Sequence, residues 1–225
     1  MNKAIVADCE TTGNNDPQVI EYGSLEVELV DGVLGFGIGH TYRFKPSKPI
    51  ELGAIATHGI LDSDLENCEP FSLEAVNFDA DYLVGQNIDY DWSVMGKPAC
   101  KRIDTLALAR KLLPDIDSHK LMALVAFYDP QKFRSYFSSA HSVVTDVRAT
   151  AFVLGKLVEA YRPTDMEDLW RMSENARIPE IMSFSKFKGQ HVSEVDWGWR
   201  DWYKKQEDPD PFLLKAFDKY PYRKP

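Results

Sequence analysis

The stretch KAIVADCETTG, residues 3–13, constrains this chain more than any other. Ala4, Ile5, Val6 and Ala7 are apolar at successive positions, as in a central strand covered on both faces. The run ends in Asp8, Cys9 and Glu10, and side chains two apart on a strand share a face. Two carboxylates should therefore project together from the strand's C-terminal end, where open α/β sheets place their ligands. Adjacent ionised acids repel, and burial raises the cost. Hard divalent cations such as Mg²⁺ and Mn²⁺, which prefer carboxylate oxygens, remove that cost. A solvated strand end fits the same residues, so the pair alone does not choose.

Further along, residues 18–30 read as a second strand, Asp31-Gly32 as a hairpin turn, and 36–45 as a third strand ending at Pro46. A short helix is expected near 51–57, a helical stretch at 72–81, and a buried strand at 82–85. Helical spacing of apolar positions recurs at 104–112, 119–128 and 142–160. Three antiparallel-type strands followed by alternating helices and strands predict an α/β fold with a mixed sheet. Composition changes at 161–163. Beyond it, Thr164 opens a helix over 165–174, and the tail predicts a short hairpin turning near Gly189 and an aromatic-rich helix. Two parts follow, residues 1–161 and 162–225.

A chain of 225 residues can bury one sizeable core and a smaller appendage. No apolar run approaches the roughly 20 residues of a membrane span, which predicts a cytoplasmic protein. Three cysteines, odd in number and without metal-ligand spacing, fit a reducing compartment. The net charge is −9, and residues from Arg162 onward hold 12 basic and 12 acidic side chains, so the excess acid lies entirely in the first 161 residues. Solvation of exposed faces explains most of it, and metal ligation a minority.

Two further clusters carry candidate chemistry. In LVGQNIDYDWSVM, residues 83–95, Asn87 and Asp91 are four apart and would share one face of a starting helix. A capping role for Asn87 and a dipole-complementing role for Asp91 fit the same positions. Asp89, in the same turn, faces away from Asn87. In SSAHSVVTDVRATAFVLGKL, residues 138–157, His141 stands in a loop and Asp146 in the second turn of the helix that follows.

The order Asp8-x-Glu10-Thr11-Thr12-Gly13, then Asn87-x-x-Tyr90-Asp91, then His141-x-x-x-x-Asp146 resembles the DEDDh (DnaQ-like) 3′→5′ exonuclease family. Thr57-His58-Gly59-Ile60 and Ile103-Asp104-Thr105-Leu106 fit the same pattern. Phe184-Ser185-Lys186-Phe187-Lys188-Gly189 and Val192-Ser193-Glu194-Val195 resemble the C-terminal segment of exodeoxyribonuclease X within that family. Gln86 stands where the family usually has His, Val143 where Ala is common, and Ser185 where Gly is frequent; none of these is a ligand or a base.

The resemblance implies a ribonuclease H-like, five-stranded mixed sheet flanked by helices, with residues 1–161 as the exonuclease domain and 162–225 as a small hairpin-plus-helix segment. It implies two Mg²⁺ (or Mn²⁺) ions held by Asp8, Glu10, Asp91 and Asp146, with His141 as general base. Thr11, Thr12, Gly13, His58 and Asn87 would meet the 3′-terminal nucleotide. The implied substrate is DNA, as single-stranded 3′ ends or duplex, with RNA as the alternative and a noncatalytic binding module as a second one. Some relatives dimerise, so a homodimer is a further expectation. In the tail, Lys186, Lys188, Arg200, Lys204 and Lys205 interleave with aromatic residues and suit phosphate contact. Trp199, Trp202 and Tyr203, at i, i+3, i+4 spacing, fit a small core better.

Overall fold

The computed structural model describes residues 3–137 and 142–223. The chain divides into two compact units, Met1–Ser173 and Glu174–Pro225. In the first, strands β1 (Ala4–Thr11), β2 (Val19–Val30) and β3 (Val33–Arg43) precede α1 (Leu52–His58) and β4 (Tyr82–Gly85). Helix α2 (Asp89–Val94), β5 (Lys101–Asp104), α3 (Thr105–Leu112), α4 (Leu121–Tyr128), α5 (Pro130–Phe137), α6 (Val143–Tyr161) and α7 (Met166–Ala176) follow.

The sheet order is β3-β2-β1-β4-β5. β1 pairs antiparallel with β2 and parallel with β4, so the sheet is mixed and β1 lies at its centre. The Asp31-Gly32 turn has φ of 50° and 77°, the two left-handed residues that match the right-handed twist of the strands β2 and β3 it joins. Ala7 and Cys9 point from β1 into one layer, packed with Tyr22, Phe44, Leu83 and Ile88. The alternate residues Asp8 and Glu10 face the other layer, on the side where α6 packs against β1 and β2.

Several elements differ from the sequence expectation. Residues 72–81 form turns rather than a helix, with Asn77 at φ 49°; Leu73, Val76 and Phe78 cover the sheet from this irregular segment. Strand β5, helix α5 and the last helix lie outside the elements expected from the sequence. The expected boundary at 161–163 marks a change of composition, whereas the compact units divide at 173/174. Helix α7 is bound to the sheet up to Ser173: Glu167 accepts from the Tyr82 hydroxyl at 2.7 Å, and Ser173 Oγ accepts from the Asp104 N–H at 2.8 Å.

The second unit holds α8 (Trp197–Tyr203) and α9 (Pro211–Lys219) around Met182, Phe187, Val192, Val195, Leu213 and Phe217. The expected hairpin shrinks to one antiparallel bridge, Ile181 with His191. Trp199 and Tyr203 stack at 5.1 Å and pack on this core, while Trp202 is exposed. Arg200 corrects the sequence reading. It is buried and donates to the carbonyls of Val192, Val195, Phe217 and Tyr220, so it is no phosphate contact.

Candidate active site

The convergence of the acids starts from β1. Asp8 pairs in register with Gly23 and Glu10 with Glu21, so both carboxylates rise on the α6 side of the sheet. Gly23 allows close approach, because a Cβ there would stand 2.9 Å from Val143 Cγ2 and 3.2 Å from Val147 Cγ2. The helix can thus lie low over β2 and present Asp146 to the strand acids. Carboxylate oxygens of Asp8, Glu10 and Asp146 all lie within 4.8 Å of one another.

Asp91 joins from α2 and is buried. Its Oδ1 accepts the Cys9 N–H at 2.9 Å, a bond that ties the second acidic motif to the strand between Asp8 and Glu10. Asp89 points elsewhere and pairs with Arg102. The mutual repulsion is legible in the titration of these groups. Burial, then the charges of Asp91, Asp146 and Glu10, raise Asp8 well above the ordinary carboxylate range. Burial and the neighbouring Asp146, Glu21 and Asp91 push Glu10 up to about 8. Burial pushes Asp91 up to about 7 against the opposing Cys9 hydrogen bond. Convergent carboxylate oxygens that resist ionisation without a counter-charge are the donor set of a hard divalent cation, so these residues fit such a metal.

The nucleotide-contact candidates occupy varied settings. Thr11 Oγ1 is 2.8 Å from the Tyr90 hydroxyl and donates to the Gly13 carbonyl at 3.3 Å. Thr12 is fully buried and its Oγ1 accepts the Gln18 N–H at 3.1 Å, which makes it a brace of the loop. Gly13 has φ 138°, and a Cβ there would meet the Glu51 carboxylate, which accepts the Asn15 N–H at 3.2 Å. His58 closes α1; its pKa is lowered because burial outweighs the Thr11 backbone and the Glu21 charge. Asn87 corrects the helical reading. It is exposed at φ 64°, two residues before α2 begins, so it shares no helical face with Asp91. Its N–H donates to Asp104 Oδ1 at 2.9 Å. His141 lies outside the described residues.

Glu21 was not singled out by sequence reasoning. It is buried beside Glu10 and accepts from Arg43 Nε at 2.8 Å. Its signal was the acid at position 21 in the second strand, which becomes meaningful only once the β1–β2 register is known.

A central strand with paired acids, a mixed five-stranded sheet and a helix delivering a third carboxylate define a ribonuclease H-like nuclease core. The comparisons with known proteins agree. DNA polymerase III subunit epsilon of Buchnera aphidicola (Schizaphis graminum) is 32% identical over 178 residues, 69% of this chain and 72% of that protein. The Escherichia coli epsilon subunit is 31% identical over 154 residues, 57% of this chain and 61% of that protein. The chain belongs to this DnaQ-like family of DEDDh 3′→5′ exonucleases. In fold it resembles exonuclease X solved in complex with 5′ overhanging duplex DNA, with TM-score 0.61 and 23% identity over 76% of this chain and 99% of that one. No protein-family model matches the chain. Among the described residues no helix is long and apolar enough to cross a membrane.

Proposed function

We propose that this protein is a metal-dependent 3′→5′ exonuclease that hydrolyses phosphodiester bonds at DNA 3′ ends and releases nucleoside 5′-monophosphates in the cytoplasm. The observation that carries the reading is the convergence of Asp8, Glu10 and Asp146 within 4.8 Å, with buried Asp91 hydrogen-bonded to the strand between the first two.

Asp8, Glu10 and Asp146 would hold one divalent ion, and Asp91 with Asp8 a second, Mg²⁺ or Mn²⁺ in each case. When bound, such ions supply positive charge to the phosphoryl group and to the leaving oxygen. The chain's own residues do the rest. The β1–β2 pair fixes Asp8 and Glu10, and the Cys9 N–H holds one Asp91 oxygen beside them. His141 takes the proton of the attacking water as general base, imidazole being the side chain that exchanges protons most readily around neutral pH. Thr11, Gly13, His58 and Asn87 line the approach of the terminal nucleotide, and Thr12 acts through the loop it braces.

The edge strand β3 is where a second copy would add to form a homodimer. It exposes Val33, Phe36 and Ile38 and has no Pro or charge between residues 33 and 42. Such an edge invites strand pairing, and two antiparallel copies satisfy two-fold symmetry.

The decisive experiment digests 3′-labelled and 5′-labelled oligonucleotides, single-stranded DNA, duplex DNA and RNA in parallel, with Mg²⁺ or with EDTA. Stepwise release of 5′-mononucleotides from DNA 3′ ends, abolished by EDTA, is expected; preference for RNA would move the reading to the exoribonuclease alternative. His141→Ala is expected to lose most turnover while still binding metal and DNA, and unchanged turnover would remove His141 from the mechanism. Ile38→Lys should shift the light-scattering mass from dimer to monomer.

A further inference from the structure

A cavity of about 740 Å³ opens beside Asp146, a volume typical of ligand sites. Gln86, Arg110, Asp117, His119 and Lys120 contribute to its wall. It includes none of Thr11, Thr12, Gly13 or His58, yet it shares Asp146 with the carboxylate cluster.

The wall is held by a short chain of hydrogen bonds. Gln86 Oε1 accepts from the Thr105 hydroxyl at 2.6 Å, and Gln86 Nε2 donates to the His119 carbonyl at 2.9 Å. The His119 ring Nε2 lies 2.8 Å from the Leu113 carbonyl, which closes the loop on itself. Gln86 directly follows β4, so the loop carrying Lys120 is tied to the rigid end of a buried strand.

We infer that this cavity receives the part of the nucleic-acid strand on the 5′ side of the scissile phosphodiester, with Lys120 and Arg110 contacting its phosphates and Gln86 acting as a positioning residue for the loop. The inference rests on the exonuclease reading above. A strand cut at the carboxylates has its terminal nucleotide on one side and the remaining chain on the other. The Thr11–Gly13 segment continues the chain directly from Glu10 at the end of β1, whereas the cavity takes Asp146 into its wall and none of those residues. The strand is a polyanion approaching a cluster of acids in a chain of net charge −9, so cations along its path are needed to draw it in. Arg110 and Lys120, both exposed, are the cations of the cavity wall, against Asp117 and Asp146. The amide of Gln86 donates and accepts at once, and no carboxylate or aliphatic side chain can do both.

The test uses the full chain with Mn²⁺ and two substrates: the p-nitrophenyl ester of thymidine 5′-monophosphate, which has no nucleotide or further phosphate 5′ of the scissile bond, and single-stranded oligothymidylates of increasing length. For Lys120→Gln and Arg110→Gln the expected result is a severalfold fall in kcat/KM on oligonucleotides relative to the ester, carried by KM. The dependence of log KM on log salt should also flatten by up to about one per cation removed. Gln86→Ala should shift the same ratio in the same direction through KM, and Gln86→Glu should not rescue it, because the donor to His119 is lost. If the wild type turns over both substrates and the variants keep its oligonucleotide-to-ester ratio and salt slope, this inference is overturned and the exonuclease reading stands. If the wild type hydrolyses neither, both fall.

Discussion

Gly23 stands directly opposite Asp8 across the β1–β2 pair, and it is the residue over which Val143 and Val147 of α6 settle. The helix that carries Asp146 is therefore seated by an absent side chain. Gly23→Ala forces α6 outward or Val143 off its rotamer, an overpacking that costs about 1–3 kcal/mol. The expected outcome is a lower denaturation midpoint together with weaker Mn²⁺ binding by calorimetry, since Asp146 moves with the helix. A variant destabilised but unchanged in metal affinity would show that Asp146 reaches the cluster by another route.

The metal-free protein should lose stability as pH rises. Glu10 is raised from 4.5 to about 8 and Asp91 from 3.8 to about 7, and Asp8 too is raised well above the ordinary carboxylate range. Between about 4 and 8 the unfolded chain has released the Glu10 and Asp91 protons while the folded chain still holds them, so each pH step favours unfolding, and the contribution of these two groups levels off above about 8. In EDTA the melting temperature should fall from pH 5 to pH 8; saturating Mn²⁺ should flatten that slope and raise the curve. Asp8→Asn removes one of the repelling charges, so at pH 8 it should melt higher than wild type in EDTA, gain nothing from Mn²⁺ and hydrolyse nothing. A flat wild-type curve in EDTA would contradict the packing of charges described here.

Arg43 neutralises Glu21 beside Glu10. The guanidinium is half exposed, so its loss should cost less than breaking a fully buried pair, about 1–3 kcal/mol. Arg43→Met leaves a buried carboxylate unpaired, and chemical denaturation should detect the loss. The double variant Arg43→Met/Glu21→Gln should recover most of it; failure to recover would assign Arg43 a different role.

In the second unit, Arg200 satisfies four backbone carbonyls from the segments that enclose it. Arg200→Met removes every one of these donors at once, at a cost on the order of 3 kcal/mol or more. Faster proteolysis confined to residues beyond 174 is the expected readout. Equal protease resistance would mean that water replaces the guanidinium.

The carboxylate cluster was legible from the chain because its two central members are local neighbours. A period of two puts Asp8 and Glu10 on one face whatever surrounds the strand, and the long apolar pattern of α6 set Asp146 on a helix in advance. Several element types were likewise readable: β1, β2, α3, α4, α6 and α7 lie within a few residues of their expected bounds. Residues 72–81 were not, because they pack their apolar side chains on the sheet without a helix to organise them.

What remained belonged to pairing between distant segments. Local spacing cannot say that Glu21 adjoins Glu10, that the Cys9 N–H claims an oxygen of Asp91, or that Gln86 reaches the His119 carbonyl. Strand order and register decide those contacts, and they are selected by the burial of the whole sheet. Arg200 shows the limit from the other side: a basic residue among aromatics looks the same in sequence whether it meets phosphates or the carbonyls of its own fold, and only the closed core around it distinguishes the two.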